Sequence, residues 1–326
     1  MTTALLAPTT AESTFRAMGT DVHVLVHAHP GLAPLLVDLA RERIEVLESS
    51  WSRFRAASEL SLLNAAAGSG PVSVSPDLLL LVERMREAWL LTDGLFDPTI
   101  WESITRLGYD ADFATVTSRT AAPAATIDVA PAPGMAGIVI DHAASTVQLP
   151  RGIGLDPGAI GKGLAADVVA DELRDLGAEG VLVNLGGDIA IRGRIDASWC
   201  IGVEDERVRA QSPNRLLTQL SFGDDQDAIA IATSTTLTRR WAQGTRHHVI
   251  DPRTGDVARG DLTQATVLHE QAWRAEVLAT AALLQDSASA LAWLDNRGIA
   301  ALLTTATTTH RTRALAGSEL KEHHHG

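Results

Sequence analysis

The stretch Gly154-Leu155-Asp156-Pro157-Gly158-Ala159-Ile160-Gly161-Lys162-Gly163 runs from an apolar, strand-like segment straight into a helical pattern. Glycines remove the Cβ atoms that keep backbone N–H groups away from an anion, and the helix start offers unpaired N–H donors and a positive dipole end. Lys162 adds a mobile positive charge, and Asp156 is a hard oxygen ligand or an acceptor for a sugar or base. The loop alone supports two readings, a cradle for a phosphorylated small molecule or a tight turn with a solvated lysine. Neither common phosphate motif fits: a Walker loop needs glycine where Asp156 stands, and Gly152, Gly154 and Gly158 miss the dinucleotide spacing by one residue. Further along, Glu276 and Thr280 lie four apart in a helical pattern, so a carboxylate and a hydroxyl share one face. That pair can hold a hard cation or serve as a partly buried polar face. His247 and His248 are adjacent in a strand-like run, so at most one of them enters a given cleft.

Elements must position these groups. After the glycine loop, Leu164, Val168, Leu173 and Leu176 recur at helical spacing, Gly177 ends the helix, and Val181-Leu182-Val183 opens a strand that closes in Asn184-Leu185-Gly186-Gly187-Asp188. Phe15 to Val26 reads as a strand with Val22, Val24 and Val26 on one face, interrupted by Met18 before Gly19. Leu36, Ala40, Ile44, Leu47 and Trp51 mark an amphipathic helix whose end delivers Phe54. Ser58 to Asn64 is a short capped helix with a structural role, Asn64 closing a turn, and Asp77 caps the next helix. Leu95-Phe96-Asp97 follows, and by spacing alone Asp97 before Pro98 is a turn-former. Strands are predicted at Trp199 to Val203, Leu217 to Phe222, Ala228 to Ala232, Leu262 to Leu268 and Ile299 to Leu303, with a helix from Ala272 to Leu284.

With 326 residues, 45% of them hydrophobic, the chain can bury a large core in one large or two intimate domains. A formal charge of −13 without a run of Lys or Arg argues against nucleic acid as a partner. The lone Cys200 excludes an intrachain disulfide and a C-x-x-C site. No apolar stretch is long enough for a membrane span. Met1 to Glu12 shows neither an export signal nor a lipid-accepting cysteine, so the cytoplasm is the expected compartment. Residues 1–14 are expected to be disordered, 15–316 to form one domain, and 317–326 to be a tail whose His323-His324-His325 resembles a tag remnant.

Eight short motifs occur in order: Met18-Gly19-Thr20, Ser58 to Asn64, Asp93 to Thr99, Asp156 to Gly163, Asn184 to Asp188, Thr233-Ser234, His247 to Pro252, and Glu276 through Thr280. Together they resemble the ApbE family, the FAD:protein FMN transferases, from about Phe15 to Leu303. The resemblance implies an α+β fold of two interleaved α/β lobes with mixed sheets and the FAD site in the cleft between them. It implies that Met18, Phe54, Leu95, Phe96, Asp97, Asp156, Lys162 and Ile250 bind FAD, and that Ala159 (through its carbonyl), Glu276 and Thr280 hold Mg2+. Lys162 and His248 are the implied catalytic residues. The implied partner is an acceptor protein with an FMN-binding domain carrying a target threonine, and AMP is the second product. This chain departs from its relatives at Phe54, where they often carry tyrosine, at Glu276, where they usually carry Asp, and at Thr235 and Leu237, where they carry Gly and Tyr. Arg239 takes the matching arginine position. Three other readings stay open: an FAD pyrophosphatase, a non-catalytic flavin carrier, and an unrelated nucleotide-binding enzyme.

Overall fold

The computed structural model describes residues 7–119, 127–195, 198–223 and 227–316. The strands are β1 (Thr9–Ala17), β2 (Thr20–Ala28), β3 (Val72–Ser73), β4 (Val139–Asp141), β5 (Thr146–Gln148), β6 (Gly180–Leu185), β7 (Asp188–Gly193), β8 (Trp199–Glu204), β9 (Leu216–Phe222), β10 (Ala228–Thr235), β11 (Arg240–Trp241), β12 (Arg246–His247), β13 (Leu262–His269), β14 (Ala300–Thr305) and β15 (Thr309–Arg311). The helices are α1 (Ala33–Trp51), α2 (Glu59–Ala65), α3 (Pro76–Leu91), α4 (Trp101–Arg106), α5 (Phe113–Thr117), α6 (Gly161–Asp175), α7 (Ala272–Leu283), α8 (Ser287–Asp295) and α9 (Arg313–Ala316). No helix among the described residues is long and apolar enough to cross a membrane.

Eight strands form the main sheet in the order β1-β2-β6-β7-β10-β13-β14-β15. Every pairing in it is antiparallel, so the α+β class holds while the expected mixed sheets are antiparallel ones. The period of two in the sequence divides the sheet cleanly between two cores. Val24, Val26, Val181, Val183 and Leu185 face α1 and α6, while Leu25, Leu182, Ile189, Ile191, Ile229 and Ile231 face the opposite way. There they meet Trp199, Ile201, Val203, Leu220 and Phe222 of the ribbon β8–β9. The sheet therefore has α1, α6 and α7 on one face, and on the other the two-stranded ribbon with the short α9 at the β14 end.

Two expectations at the N-terminus are corrected. Thr9 to Thr14, expected to be disordered, forms the first part of β1 and pairs with β2 along its whole length. Its polar, exposed alternation is that of an edge strand, which gives no apolar signal. The run from Phe15 to Val26 is a hairpin and not one interrupted strand: Met18 (φ 49°) and Gly19 (φ 69°) make a two-residue turn with both central residues left-handed, the geometry that suits a tight hairpin. The N-cap of α3 is Ser75, which accepts from the Leu78 N–H, and Asp77 instead pairs with Arg43 at 2.6 Å. Residues 1–6 and 317–326 lie outside the described residues.

The contact between α6 and α7 fixes the chemistry. Gly163, in the first turn of α6, lies so close to Ala272 that an added Cβ would stand 2.5 Å from its carbonyl oxygen. Asp167, one turn further, accepts from the N–H groups of Ala272 (2.9 Å) and Trp273 (3.0 Å). It caps α7 from outside, where the helix's own N-cap residue Gln271 makes no side-chain bond. Arg192 on β7 holds the same carboxylate at 2.6 Å.

Candidate active site

A cleft of about 910 Å³ opens where the ends of β2, β6, β7 and β10 meet the starts of α6 and the middle of α7. Asn64 on α2 anchors the glycine loop just before Asp156: Nδ2 donates to the Leu155 carbonyl (2.9 Å) and Oδ1 accepts from the Leu155 N–H (2.8 Å). The asparagine expected to close its own turn thus grips the glycine loop 91 residues away. Asp97 is the turn-former its spacing suggests, accepting from Thr99 N–H (2.9 Å) and Thr99 Oγ1 (2.6 Å), and burial raises its pKa. The adjacent Pro98 carbonyl accepts from Asp156 N–H at 2.8 Å, so the two segments form one wall.

At the helix end of the cleft, the Lys162 ammonium sits 2.5 Å from Asp188 Oδ2 and 2.5 Å from Glu276 Oε1. Glu276 Oε2 accepts from the Gly163 N–H at 2.8 Å. Both carboxylates are buried, each 2% exposed. Burial works against the Lys162 charge, but Asp188 and Glu276 outweigh it and raise the lysine pKa. Burial and the negative charge of Asp188 push the Glu276 carboxyl up to about 7, against the pull of Lys162. Two carboxylates thus share one ammonium. The Gly186-Gly187 turn, held by Asn184 Oδ1 accepting from Gly187 N–H at 2.8 Å, brings Asp188 here from the start of β7. One turn along α7 from Glu276, Thr280 Oγ1 lies 2.9 Å from Ser234 Oγ, and Ala159 lines the same wall. Carboxylate, hydroxyl and carbonyl oxygens are the donors magnesium takes, and the surplus negative charge favours a divalent cation, so the residues fit that ion. Among the described residues, no group of three or more His, Cys, Asp or Glu forms a metal cluster.

On the opposite wall, Arg53 Nε approaches Asp156 Oδ2 to 2.9 Å, and both side chains are almost fully buried. The approach lacks hydrogen-bond alignment, so Oδ2 is buried without a donor, while Oδ1 accepts from the Gly158 N–H at 2.6 Å. Arg53 also donates to the Tyr109 carbonyl (2.7 Å) and lies over the rings of Phe54 (4.2 Å) and Tyr109 (4.5 Å). Phe54 is 40% exposed and its ring centre stands 5.5 Å from that of Tyr109, which makes an aromatic ledge beside the cleft. Leu95, Phe96 and Ile250 line the space between.

His248 lines the cleft and His247 does not; His247 bonds the Ala258 carbonyl at 3.1 Å instead. Burial, with the positive charges of Arg239 and Lys162 and the neighbouring His247, holds the His248 pKa well below the usual imidazole range. Its Nδ1 is buried without a hydrogen-bond partner. Thr235 ends β10 without a left-handed backbone, its Oγ1 donating to the Thr263 carbonyl (2.8 Å) and accepting from Leu237 N–H (3.1 Å). The positive φ of this loop falls on Arg239, at 45°.

Most of the predicted site residues therefore converge. Phe54, Leu95, Phe96, Asp97, Asp156, Ala159, Lys162, His248, Ile250, Glu276 and Thr280 all line the one cleft. Met18 does not; it packs half-buried against the main core, while Gly19 and Thr20 reach the wall. Sequence reasoning assigned no role to Arg53, Asp188, Ser234 or Tyr109. Asp188, at the end of a Gly-Gly turn, and Ser234, in the Thr233-Ser234 motif, carried a signal in the sequence; Arg53 and Tyr109 are placed by contacts between distant segments.

This sheet, its crossed helices and its cleft define the fold of the ApbE proteins. The crystal structure of the ApbE protein from Thermotoga maritima superposes with a TM-score of 0.79 at 23% identity, covering 94% of this chain and 98% of that one. The flavin transferase ApbE from Vibrio cholerae superposes with a TM-score of 0.73 at 25% identity, covering 95% and 99%. Residues 18–303 match the model of the ApbE family, and the chain belongs to that family. Curated relatives named FAD:protein FMN transferase include one from Vibrio cholerae, 28% identical and covering 88% of this chain and 84% of the relative. Another, from Klebsiella pneumoniae, is 29% identical and covers 77% and 75%. By class the chain is a transferase.

Proposed function

We propose that this chain is a magnesium-dependent FAD:protein FMN transferase whose acceptor is a threonine in an FMN-binding domain of a partner protein. In the proposed reaction the threonine Oγ bonds to the phosphorus of the FMN half of FAD, and the bond from that phosphorus to the bridging oxygen breaks. AMP leaves with that oxygen, and the hydroxyl proton is released. The observation that carries the reading is the buried Lys162, shared by Asp188 and Glu276 on the wall of a nucleotide-sized cleft.

Lys162 and the N–H groups of the first turn of α6 would face the pyrophosphate and offset its charge as it shifts to the leaving group. The buried Asp156 Oδ2, beside the Arg53 guanidinium but free of donors, would accept a hydrogen bond from the nucleotide. Phe54, backed by Tyr109, supplies a face for ring stacking but lacks a hydroxyl. Leu95, Phe96, Asp97 and Ile250 would exclude water from the bound FAD. His248, neutral at physiological pH, would meet a ligand through Nδ1 as a hydrogen-bonding group and not as a charge. Glu276, Thr280 and the Ala159 carbonyl would hold magnesium, which when bound supplies neutralisation of phosphate charge.

The test is mass spectrometry of a synthetic peptide centred on the threonine of an FMN-binding domain, incubated with the protein, FAD and magnesium, with AMP measured in parallel. A threonine adduct of FMN mass, lost on adding EDTA, is the expected result. AMP with free FMN and no adduct would replace the transferase with a pyrophosphatase, and bound FAD without either product would make the chain a carrier.

A further inference from the structure

Ile201, Gly202, Val203 and Glu204 all line the cleft. Ile201 and Val203 nevertheless point into the apolar cluster beneath the ribbon, whereas Gly202 is exposed on its outer side. Side chains alternate along a strand, so a space that touches four residues in succession runs along the strand's edge, where the backbone N–H and C=O groups lie. One edge of β8 is taken by β9; among the described residues the other pairs with no strand. The end of this edge is fixed, because Gln264 on β13 donates to the Glu204 carbonyl (2.9 Å) and accepts from Glu206 N–H (3.2 Å). Ile189, the residue after Asp188, packs in the same cluster as Ile201 and Val203. The edge and the group that holds Lys162 therefore border the same cleft.

We propose that this edge of β8 docks the acceptor protein by strand addition: an extended segment around its threonine pairs backbone to backbone with Ile201–Val203. The inference rests on the transferase reading, which demands a second macromolecule in a cleft whose opposite wall carries Arg53, Phe54 and Asp156. An unpaired edge is a ready template for an extended chain, and its ladder recognises conformation before side chains. Gly202 is exposed on the outer face of the ribbon, where the Leu216 side chain of β9 leans over it, so a partner strand would be held by the backbone of this edge and not by a pocket on that face.

The experiment uses the peptide of the mass-spectrometric assay and copies of it N-methylated at one backbone nitrogen at a time. An added strand bonds the edge through alternate residues only. Transfer should therefore fall at least about tenfold for every second methylated position and hold at the positions between, a loss of ~1.4 kcal/mol or more at each sensitive site. Alternate amides within Cys200–Val203 should exchange hydrogen about tenfold more slowly with the parent peptide bound. A peptide that accepts FMN but shows no period of two and no protection of β8 overturns the docking edge and leaves the transferase standing. Protection by FAD alone assigns the edge to the nucleotide and overturns the proposal. Absence of both transfer and protection overturns both.

Discussion

At the scale of single residues, the site is a problem of charge held in a dry place. Arg53 and Asp156 form a buried ion pair, 6% and 3% exposed, in the wall of the cleft. Removing one partner of such a pair strands the other charge, a loss of about 3–5 kcal/mol. Arg53→Leu should lower the unfolding free energy by that amount, seen as a lower urea midpoint at an unchanged slope of the transition, and Asp156→Asn, which strands the Arg53 charge in its turn, should cost a similar amount. Equal midpoints for Arg53→Leu and wild type would remove the pair from the account of the wall. Glu276 is the other residue whose type decides an outcome. Its carboxylate reaches both Lys162 and the Gly163 N–H across the contact of α6 with α7. A glutamine there offers one oxygen where two are used and no charge for a cation. On the proposed magnesium site, Glu276→Gln should fold with a wild-type circular dichroism spectrum and lose the response to magnesium expected of the wild type in a metal titration; an unaltered titration would take Glu276 out of that proposed site.

Elements set the distances that these residues need. α6 brings Lys162 and α7 brings Glu276, and Asp167 ties the two helices together by accepting from two N–H groups of α7 and from Arg192. Asp167→Ala should cost about 3–5 kcal/mol, since it leaves two buried donors uncapped and removes one of the two carboxylates on Arg192. Calorimetry checks this, and a drop of less than about 1 kcal/mol, the worth of an ordinary cap, would show that packing alone sets the crossing. Much of this element scale was legible. The spacing of Leu164, Val168 and Leu173 marks α6, Val22, Val24 and Val26 mark the buried face of β2, Val181-Leu182-Val183 marks the start of β6, and the glycine loop marks the entry to the helix at the cleft. What was hidden follows from how the chain meets itself. Thr9 to Thr14 is polar, and only pairing with β2 makes it a strand. Asn64 looks like a local turn residue until Leu155 comes to it. Arg53 shows no pattern of its own, because its partners Asp156 and Tyr109 are brought by tertiary contacts. Thr235 carries no left-handed backbone and bonds the Thr263 carbonyl, and the positive φ of this loop falls on Arg239, a placement that no local pattern shows.

Across the whole molecule the same buried groups make stability depend on pH in opposing directions. His248 is held well below the usual imidazole pKa, first by burial and then by Arg239, His247 and Lys162. In the unfolded chain it titrates near ~6.5, so as pH falls through that value the unfolded state takes up the proton first, and the fold loses up to ~1.4 kcal/mol per pH unit. Glu276 has the opposite sign. Its folded pKa of about 7 lies above the ~4.3 of an unfolded glutamate, so between those values the folded state binds more protons and acid stabilises it. Wild type shows the two slopes superposed, and each variant exposes one. His248→Phe should flatten or reverse the acid loss between about pH 6.5 and 5, because only the Glu276 slope remains at this site. Glu276→Gln should steepen it over the same range, because the compensating proton uptake is gone. Urea midpoints at half-unit steps of pH measure both. Parallel curves for the three proteins would mean that neither group changes its proton affinity on folding, and the cleft wall would then have to be wet where Lys162, His248 and Glu276 stand.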